Sequence, residues 1–279
     1  MPRLRSLLFV PGDRPDRMEK ALGLGADALI LDLEDAVAPD AKPAARGMVA
    51  EFLAAHPGAP LFVRINPLDS GLAEHDLAAV LPAKPYGIVL PKAEGGASLA
   101  ALDAQLSGDI AILPIATETP AAIFALGSYG GVTPRLAGLT WGAEDLPAAI
   151  GAATSREADG SYTPPYQLAR SLTLFSAHAA GVPAIETVYP DFRDLDGLAA
   201  YAARGRRDGF TGMMAIHPAQ VSVINAAFTP SEEEVAHARR VVALFDSNPG
   251  AGALSLDGKM VDAPHLKAAR ALLASAGEA

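Results

Sequence analysis

The chain has 279 residues, of which half are hydrophobic and 19% are charged, as is typical of a globular protein. Its formal net charge of −10 argues against nucleic acid or an anionic membrane as the general partner. No cysteine is present, which excludes disulfides, thiolate metal ligands and a cysteine nucleophile.

The N-terminus leads directly into a strand-like apolar run and lacks the layout of a signal peptide. The longest uncharged stretch, 209–231, is interrupted by Pro218, Gln220 and Asn225, so it does not predict a membrane span. We therefore expect a cytoplasmic protein with no membrane partner.

Short apolar runs alternate with longer helix-like segments along the chain. The predicted strands are 6–10, 28–33, 61–65, 87–90, 110–116, 136–141, 184–188 and 212–216, and helical patterns lie between them, for example over 15–24, 39–55 and 166–180. The strand-like runs are nearly continuous in apolar residues, as expected for parallel strands buried on both faces. Eight such units predict a (β/α)8 TIM barrel. A Rossmann sheet is the alternative, but only one glycine, Gly12, follows the first run, so the glycine-rich fingerprint is missing.

The region after Phe228 has a different pattern. Ser231 followed by Glu232, Glu233 and Glu234 predicts the capped start of a helix. A glycine-rich loop over 248–258 and a last helix from about Ala263 complete the chain. We expect a barrel domain over 1–228 and a C-terminal helical extension over 229–279. The periodicity alone favours a packing appendage over a lid.

Acidic residues recur where apolar runs give way to loops. Asp32 and Glu34 are two apart at the end of the second run, so we expect their side chains on one face. Glu118 and Asp145 follow the fifth and sixth runs, which are neighbours in a barrel of this order. Carboxylates at the carboxyl ends of parallel strands can hold a hard divalent cation. The residues alone leave open which pair binds a metal, since either pair could instead form hydrogen bonds or cap a helix.

Two basic residues also end strand-like runs. Arg64 follows the third run, and an arginine inside an apolar strand needs a partner. It either forms a structural ion pair with Asp32 or Glu34, or grips a carboxylate or developing oxyanion. Lys92, after the fourth run, is a weaker case of the same kind.

A basic group of Arg14, Arg17 and Lys20 follows the first run. Arg17 and Lys20 are three apart and share one helix face. Acidic residues are interleaved with them, so a solvated, salt-bridged helix competes with a phosphate-binding patch as the interpretation.

The histidines give little signal. His217 ends the eighth run, where it either reaches the pocket or only caps the barrel. No Gly-x-Ser-x-Gly elbow supports a serine hydrolase. We expect no partner and no role for the remaining five histidines, which are His56, His75, His178, His237 and His265.

An ordered set of motifs spans the chain, at 5–12, 31–37, 63–66, 90–92, 118–120, 142–146 and 216–218. Together they resemble the citrate lyase β-subunit-like proteins, part of the HpcH/HpaI aldolase superfamily that includes malyl-CoA and citramalyl-CoA lyases. The resemblance implies a (β/α)8 barrel with Mg²⁺, or Mn²⁺ in its place, on Glu118 and Asp145. It also implies that Arg64 contacts the reacting oxygens and that Lys92 lies in the substrate site.

Further roles follow from the same resemblance. The segment around Arg14 and Lys20 is expected to contact the phosphates of coenzyme A. Asp32 and Glu34 are expected to orient Arg64 and metal-bound waters.

The C-terminal extension gains a different interpretation from the resemblance. Residues 256–264 are similar to the lid motif of the CoA-using members, and Asp262 takes the place of their catalytic aspartate. That aspartate often enters the site of a neighbouring subunit. The resemblance therefore implies a lid and a homotrimer or homohexamer.

The activity that the resemblance implies is reversible, Mg²⁺-dependent carbon–carbon cleavage of a carboxylated 3-hydroxyacyl-CoA, such as malyl-CoA or citramalyl-CoA, to an acyl-CoA and a 2-keto acid. One alternative is the β subunit of a citrate lyase complex, which cleaves a citryl thioester to oxaloacetate. Another is a pyruvate-type class II aldolase, although those enzymes carry a histidine base where this chain has Asp35. A barrel that binds a keto acid or nucleotide without turnover is a third. The sequence names neither the acyl group nor a following thioesterase step.

Overall fold

The apolar runs form eight parallel strands in the computed structural model, which describes residues 3–278. The strands are β1 Ser6–Pro11, β2 Ala28–Asp32, β3 Leu61–Arg64, β4 Gly87–Leu90, β5 Ala111–Pro114, β6 Leu139–Thr140, β7 Ala184–Glu186 and β8 Gly212–Ala215. The helices between and after them are α1 Pro15–Leu22, α2 Lys42–Ala55, α3 Ala73–Val80, α4 Gly96–Asp103, α5 Pro120–Ala125, α6 Asp145–Ile150, α7 Pro164–Ala180, α8 Leu195–Asp208 and α9 Pro218–Ala227. Short 3-10 turns, Leu81–Ala83 and Leu126–Ser128, follow α3 and α5.

The strands close into a nearly complete barrel. They pair in parallel in the order β5-β4-β3-β2-β1-β8-β7-β6. Isolated parallel bridges, Ile112 with Leu136 and Ile115 with Thr140, join β5 to the segment that carries β6. The predicted (β/α)8 barrel is thereby confirmed.

Almost every strand contributes at least one apolar side chain to the core of the barrel. Alternation along each strand turns these residues inward, where they fill the interior in layers. They include Leu7, Ile30, Phe62, Val89, Leu113, Ile185 and Met214, each at most 3% exposed.

Six of the eight strands end earlier at their carboxyl ends than the apolar runs predict, while β4 ends as predicted and β1 ends one residue later. The second run was expected to extend to residue 33, but β2 ends at Asp32 and Glu34 lies in the following loop. The expectation that Asp32 and Glu34 share one strand face is therefore wrong. Asp32 instead folds the loop back on itself, since its carboxylate accepts hydrogen bonds from the backbone N–H of Glu34 (2.9 Å) and of Ala36 (3.1 Å).

The chain divides into two compact units, one ending at Asn225 and the other beginning at Ala226. The second unit contains α10 Glu232–Asp246, β9 Ala253–Leu256, β10 Lys259–Asp262 and α11 Ala263–Ser275. Its own apolar cluster includes Val235, Val241, Phe245, Val261 and Leu273.

The start of α10 is the one predicted from sequence. The Ser231 side chain accepts from the backbone N–H of Glu234, and Glu234 accepts from the backbone N–H of Ser231, which is a complete capping box.

The predicted glycine-rich loop is wrong over part of its length. Residues 253–256 form β9, which pairs antiparallel with β10. Asp257 and Gly258 connect the two strands with φ of 52° and 77°, the backbone that a two-residue type I′ turn requires.

Within the described residues, no helix is both long enough and apolar enough to cross a membrane.

Candidate active site

A cavity of about 400 Å³ opens at the carboxyl-terminal ends of the barrel strands. In parallel barrels this is the end at which loops assemble functional sites. Phe9, Ile115, Val188 and Met214 supply an apolar floor. The charged lining residues are Asp32, Asp35, Arg64, Glu118, Glu144 and Asp145. Four residues predicted as site residues, Asp32, Arg64, Glu118 and Asp145, are therefore brought to one cavity.

Arg64, the last residue of β3, is gripped by carboxylates from β2 and its loop. Its Nε donates to Oδ1 of Asp32 (2.8 Å) and its Nη2 to Oδ2 (2.6 Å), while Nη1 lies 3.0 Å from Oε2 of Glu34. The Phe9 ring lies 4.8 Å from the guanidinium carbon. Burial alone would lower the pKa of Arg64, but the hydrogen bond and charge of Asp32 raise it above its ordinary value. The structural ion pair is therefore present, and the same guanidinium borders the cavity.

Glu34 connects Arg64 to Lys92. Its side chain is 4% exposed, and Oε1 accepts from Lys92 Nζ at 2.8 Å. Its other oxygen, Oε2, lies near Arg64 but makes no hydrogen bond among the described residues. Burial raises the pKa of Glu34, against the opposing charge of Arg64.

Lys92 has an unusual backbone that joins two parts of the site. Its φ of 49° lies in the left-handed region, which few residues other than glycine adopt. The backbone N–H donates to Oε2 of Glu118 at 2.5 Å, while Nζ reaches Glu34 and lies 3.5 Å from Oδ1 of Asp145. Lys92 therefore contacts three of the predicted acidic residues at once.

Glu118 is a buried carboxylate with a perturbed pKa. Its residue is 3% exposed, and burial, reinforced by the charges of Asp145 and Glu34, raises its pKa to about 8. A side chain on Gly142 would place Cβ 2.6 Å from Cγ of Glu118, so only glycine leaves room for this carboxylate. Thr117 joins the two loops, because its hydroxyl donates to the Gly142 carbonyl (3.1 Å) and accepts from the Gly142 N–H (3.0 Å).

The Glu118 and Asp145 carboxylates fit a hard divalent cation. Both border the cavity, and burial raises the pKa of Glu118 despite the nearby charge of Lys92, so a bound cation would favour the ionised carboxylate. Over residues 3–278 no group of three or more His, Asp or Glu side chains is arranged to hold a metal. A cation here would take two protein carboxylates and complete its shell with water and ligand oxygens, which is how Mg²⁺ is usually bound.

Helix capping does not account for either residue. Thr119, not Glu118, caps α5, since its hydroxyl accepts from the backbone N–H of Ala122. Asp145 is the first residue of α6, and the preceding cap position, Glu144, makes no side-chain cap bond.

Arg14, Lys20 and His217 do not line the cavity. Arg14 pairs with Asp16 at 3.1 Å on the surface, so the salt-bridged interpretation holds for that residue. His217 stacks on Phe192 with 4.7 Å between ring centroids, and its Nδ1 accepts from the backbone N–H of Ala219. The phosphate-binding role of Arg14 and Lys20 stays a prediction.

Asp262 lies in the second unit, at the N-cap of α11. Its Oδ1 accepts from the backbone N–H of His265 at 3.4 Å and lies 2.5 Å from Nδ1 of the His265 ring. The hydrogen bond from His265 lowers the pKa of Asp262.

The expectation that five histidines lack partners is wrong for three of them. His265 pairs with Asp262, His56 contacts the Phe52 carbonyl at 2.9 Å, and His178 contacts the Gly209 carbonyl at 3.2 Å. The spacing of three between Asp262 and His265 at a helix start is the capping-box spacing, and that signal was available in the sequence.

Lys42 is a site-supporting residue that the sequence did not reveal. It is 8% exposed, and Nζ donates to the carbonyls of Leu33 (2.8 Å) and Glu34 (2.6 Å) and to Oδ1 of Asn66 (2.8 Å). These bonds fix the turn that carries Asp32, Glu34 and Asp35. A lysine in the first turn of a helix is ordinarily read as exposed, so only the spatial arrangement identifies it.

Glu186, the last residue of β7, is a second such residue. It is fully buried and accepts from Trp141 Nε1 (2.5 Å), the Tyr201 hydroxyl (2.9 Å) and Arg170 Nε (2.7 Å). Trp141 directly precedes Gly142, against which Glu118 packs. The network therefore anchors the loop that leads to Asp145.

Comparison with known proteins gives a consistent result along the chain. The sequence model of the HpcH/HpaI aldolase/citrate lyase family matches residues 5–218. A second model, described as a C–C bond lyase of the TIM-barrel fold, matches residues 168–277.

Individual relatives match over almost the whole chain. A (3S)-malyl-CoA thioesterase of Cereibacter sphaeroides is 37% identical, covering 98% of this chain and 94% of that protein. Mitochondrial citramalyl-CoA lyase of Rattus norvegicus is 33% identical, covering 97% and 85%. The crystal structure of protein CitE from Mycobacterium tuberculosis, in complex with magnesium, acetoacetate and coenzyme A, matches with a TM-score of 0.83 and 36% identity over 99% of both chains.

Proposed function

Since this chain belongs to the HpcH/HpaI aldolase/citrate lyase family, we propose that it is a Mg²⁺-dependent carbon–carbon lyase that acts on a carboxylated 3-hydroxyacyl-CoA. The products would be an acyl-CoA and a 2-keto acid, with malyl-CoA and citramalyl-CoA as the first candidates for the substrate. The observation that carries the proposal is the convergence of Glu118, Asp145 and Arg64 on one cavity. The names of the relatives support a CoA-ester substrate.

Glu118 and Asp145 would hold the cation. When bound, Mg²⁺ supplies positive charge that stabilises an alkoxide and binds carboxylate oxygens. Lys92 assists from the protein side, because its N–H fixes one oxygen of Glu118 and its Nζ lies 3.5 Å from Asp145.

Arg64 would stabilise the negative charge that develops on the substrate oxygen. Asp32 holds the guanidinium by two hydrogen bonds, and Glu34 lies beside its remaining amino group. A charge held in place before the reaction stabilises a transition state more effectively than a mobile one. Asp32 and Glu34 are thus proposed to position Arg64 rather than to bind the cation.

Asp262 would exchange the proton at the α-carbon of the thioester. In the cleavage direction the enolate carbon takes a proton from the Asp262 carboxyl group, and in the condensation direction the carboxylate removes it. This role extends the family resemblance of residues 256–264 to this chain.

A thioesterase that hydrolyses malyl-CoA is a second candidate, favoured by the 37% identical relative of that name. The two candidates differ in the bond that is broken. A lyase leaves the thioester intact, whereas a thioesterase releases free coenzyme A.

The test is to incubate purified protein with acetyl-CoA or propionyl-CoA plus glyoxylate or pyruvate, first with Mg²⁺ and then with EDTA. We expect a hydroxyacyl-CoA to form only with Mg²⁺, identified by mass spectrometry, and the productive pair names the substrate. In a parallel reaction with malyl-CoA, release of free thiol without glyoxylate or acetyl-CoA would establish the thioesterase instead. Absence of both products, with cleavage of a citryl thioester, would place the protein with citrate lyase subunits.

A further inference from the structure

His265 contacts Asp262 through a reciprocal arrangement at the start of α11. The His265 side chain occupies the N3 position, and its Nδ1 lies 2.5 Å from Oδ1 of Asp262 and 3.3 Å from the Asp262 backbone nitrogen. A capping box usually carries Glu or Gln at N3, which can only accept from the backbone. A histidine at this position can both accept and donate.

The two contacts of Nδ1, at 2.5 Å and 3.3 Å, suit two protonation states of one ring. When Nδ1 carries a proton, it donates to Oδ1 of Asp262; when it does not, it accepts from the Asp262 backbone N–H. Since both partners lie within hydrogen-bond distance in one geometry, the ring can lose and regain a proton without moving away.

The pair also has access to water. The side chains of His265 and Asp262 are 55% and 33% exposed. Three other ion pairs of the second unit do not involve His265, namely Arg239 with Glu278, Arg240 with Asp257 and Arg270 with Asp246. A proton taken up by the imidazole therefore has a route from solvent to the carboxylate.

We propose that His265 is a positioning residue that holds Asp262 by one oxygen and relays protons between that carboxylate and water. The inference rests on the proposed role of Asp262 in exchanging the thioester α-proton. In cleavage, the Asp262 O–H bond breaks as the C–H bond forms at the enolate carbon. The Nδ1–H bond of the doubly protonated His265 ring then breaks as Asp262 regains its proton, which leaves a neutral imidazole. The imidazole takes a proton back from solvent, into which the substrate hydroxyl releases its own, so the protons balance. Condensation runs through the same steps in reverse, with no oxidant or reductant required.

Two substitutions at His265 distinguish a purely structural helix cap from a proton relay. His265→Gln keeps an N3 acceptor for the Asp262 N–H, as in an ordinary capping box, but cannot carry a proton. His265→Ala removes both functions and leaves space for added imidazole. His237→Gln is the matched control, since it changes an exposed histidine of the same unit, on α10.

The experiment measures deuterium incorporation from D₂O into the α-carbon of acetyl-CoA or propionyl-CoA by mass spectrometry, with Mg²⁺ and glyoxylate or pyruvate present. We expect both His265 variants to exchange about 10-fold more slowly or worse, imidazole to restore part of the His265→Ala rate, and His237→Gln to behave as the unaltered protein. Exchange at the normal rate in His265→Gln, with a slow His265→Ala, would show a cap only and overturn the relay.

The same series separates this inference from the function on which it rests. If the unaltered protein neither condenses nor exchanges, the proposed function fails. If it is active but Asp262→Asn exchanges normally, the role of Asp262 fails and the relay with it. If Asp262→Asn is inactive while His265→Gln is normal, only the relay fails.

Discussion

Arg64 forms an ion pair with Asp32 and still borders the cavity. A guanidinium has five N–H groups, and two of them are used in the two-pronged bond to Asp32. The pairing fixes the plane of the group, while its border on the cavity leaves donor capacity for a ligand. Because the guanidinium is fixed by Asp32 and faces the cavity, replacing it with a more flexible side chain should lower the activity.

Arg64→Lys is therefore expected to lower kcat/KM about 10²- to 10³-fold, because an ammonium group is a point charge that cannot reproduce the fork. Mg²⁺ affinity, measured by calorimetry, should change little, since Arg64 is not a proposed ligand. Arg135→Lys provides the control: Arg135 also makes a multiple contact, with Asp103 and the Gly108 carbonyl, but outside the cavity. Equal losses in the two variants would contradict a catalytic role for Arg64.

A second ion pair, Arg5 with Asp27, predicts how the stability of the fold depends on pH. Arg5 donates to the Asp27 carboxylate from its backbone N–H, its Nε and its Nη2 at 2.6–2.8 Å. Burial would raise the pKa of Asp27, but these bonds lower it below its ordinary value of 3.8. A lowered pKa in the folded state means that the pair stabilises the fold above the unfolded pKa and that this contribution is lost as the pH falls through the folded pKa.

Asp27→Asn should accordingly lower the midpoint of urea unfolding at pH 6, and the difference from the unaltered protein should shrink as the pH falls to about 3. The measurement is a set of urea curves followed by circular dichroism. A difference that stays constant or widens at low pH would contradict an ionised Asp27 as the source of the stabilisation.

At the scale of elements, the contact between the loops that follow β5 and β6 decides where Glu118 points. Gly142 has no room for Cβ, and Thr117 bonds both polar groups of its backbone. Gly142→Ala should push the Glu118 carboxylate out of place and abolish most Mg²⁺-dependent activity, at a cost in stability of about 1–3 kcal/mol.

The matched control for that substitution is Gly47→Ala. Gly47 lies inside α2, and a Cβ built on it meets no atom within 4 Å. This variant should keep full activity and gain about 0.5–1 kcal/mol of stability. Retained activity in Gly142→Ala would show that Glu118 tolerates displacement and would weaken its assignment as a cation ligand.

The hydrogen-bond network around Glu186 supports the loop after β6, which carries Gly142, from the outer side of the barrel. Trp141 is the only tryptophan of the chain, so its fluorescence reports on this position alone. Glu186→Gln should weaken Mg²⁺ binding about 10-fold, as loss of a supporting hydrogen bond does in other metal sites, and should change the Trp141 emission spectrum. Tyr201→Phe removes one donor to Glu186 and should cause a smaller change in the same direction. A changed emission spectrum with unaltered Mg²⁺ affinity would confine the network to a structural role.

At the scale of the molecule, the barrel was predictable because its strands carry an unambiguous signal. Parallel strands buried on both faces are continuous apolar runs, and eight of them with helical patterns between leave few alternatives. The strand ends were less predictable, because β6 has only the two residues Leu139–Thr140 within a longer apolar run. The β9–β10 hairpin was missed because its strands are half-exposed and lie beside glycines.

The site was predictable where it depends on strand order and not where it depends on packing. The positions of Glu118, Asp145 and Arg64 at the cavity follow from charged residues at strand ends, whereas the choice of Glu118 and Asp145 as cation ligands came from the family resemblance and stays a prediction. Lys42 and Glu186 could not be found in this way, since each acts through partners distant in sequence, such as Asn66 for Lys42 and Trp141 for Glu186. The left-handed backbone of Lys92 carries no sequence signal at all, because glycine is the residue that usually marks it.

The assembly of subunits is the last property that the site makes testable. In the proteins whose lid motif residues 256–264 resemble, the aspartate often enters a neighbouring subunit, and we propose the same arrangement for Asp262 in a trimer or hexamer. If so, an active site combines Glu118 of one chain with Asp262 of another. Symmetric oligomers that exchange subunits can then form functional sites from two different inactive chains.

Mixing Glu118→Gln with Asp262→Asn protein, after mild dissociation and reassembly, should therefore restore Mg²⁺-dependent condensation that neither variant shows alone. Sites that pair an intact Glu118 with an intact Asp262 arise only across a subunit boundary. The control is Asp145→Asn mixed with Glu118→Gln, which share the barrel site of one chain and should stay inactive, because no mixed pair of chains rebuilds a complete cation site. Failure of the first mixture, with subunit exchange confirmed by native mass spectrometry, would show that Asp262 acts within its own chain.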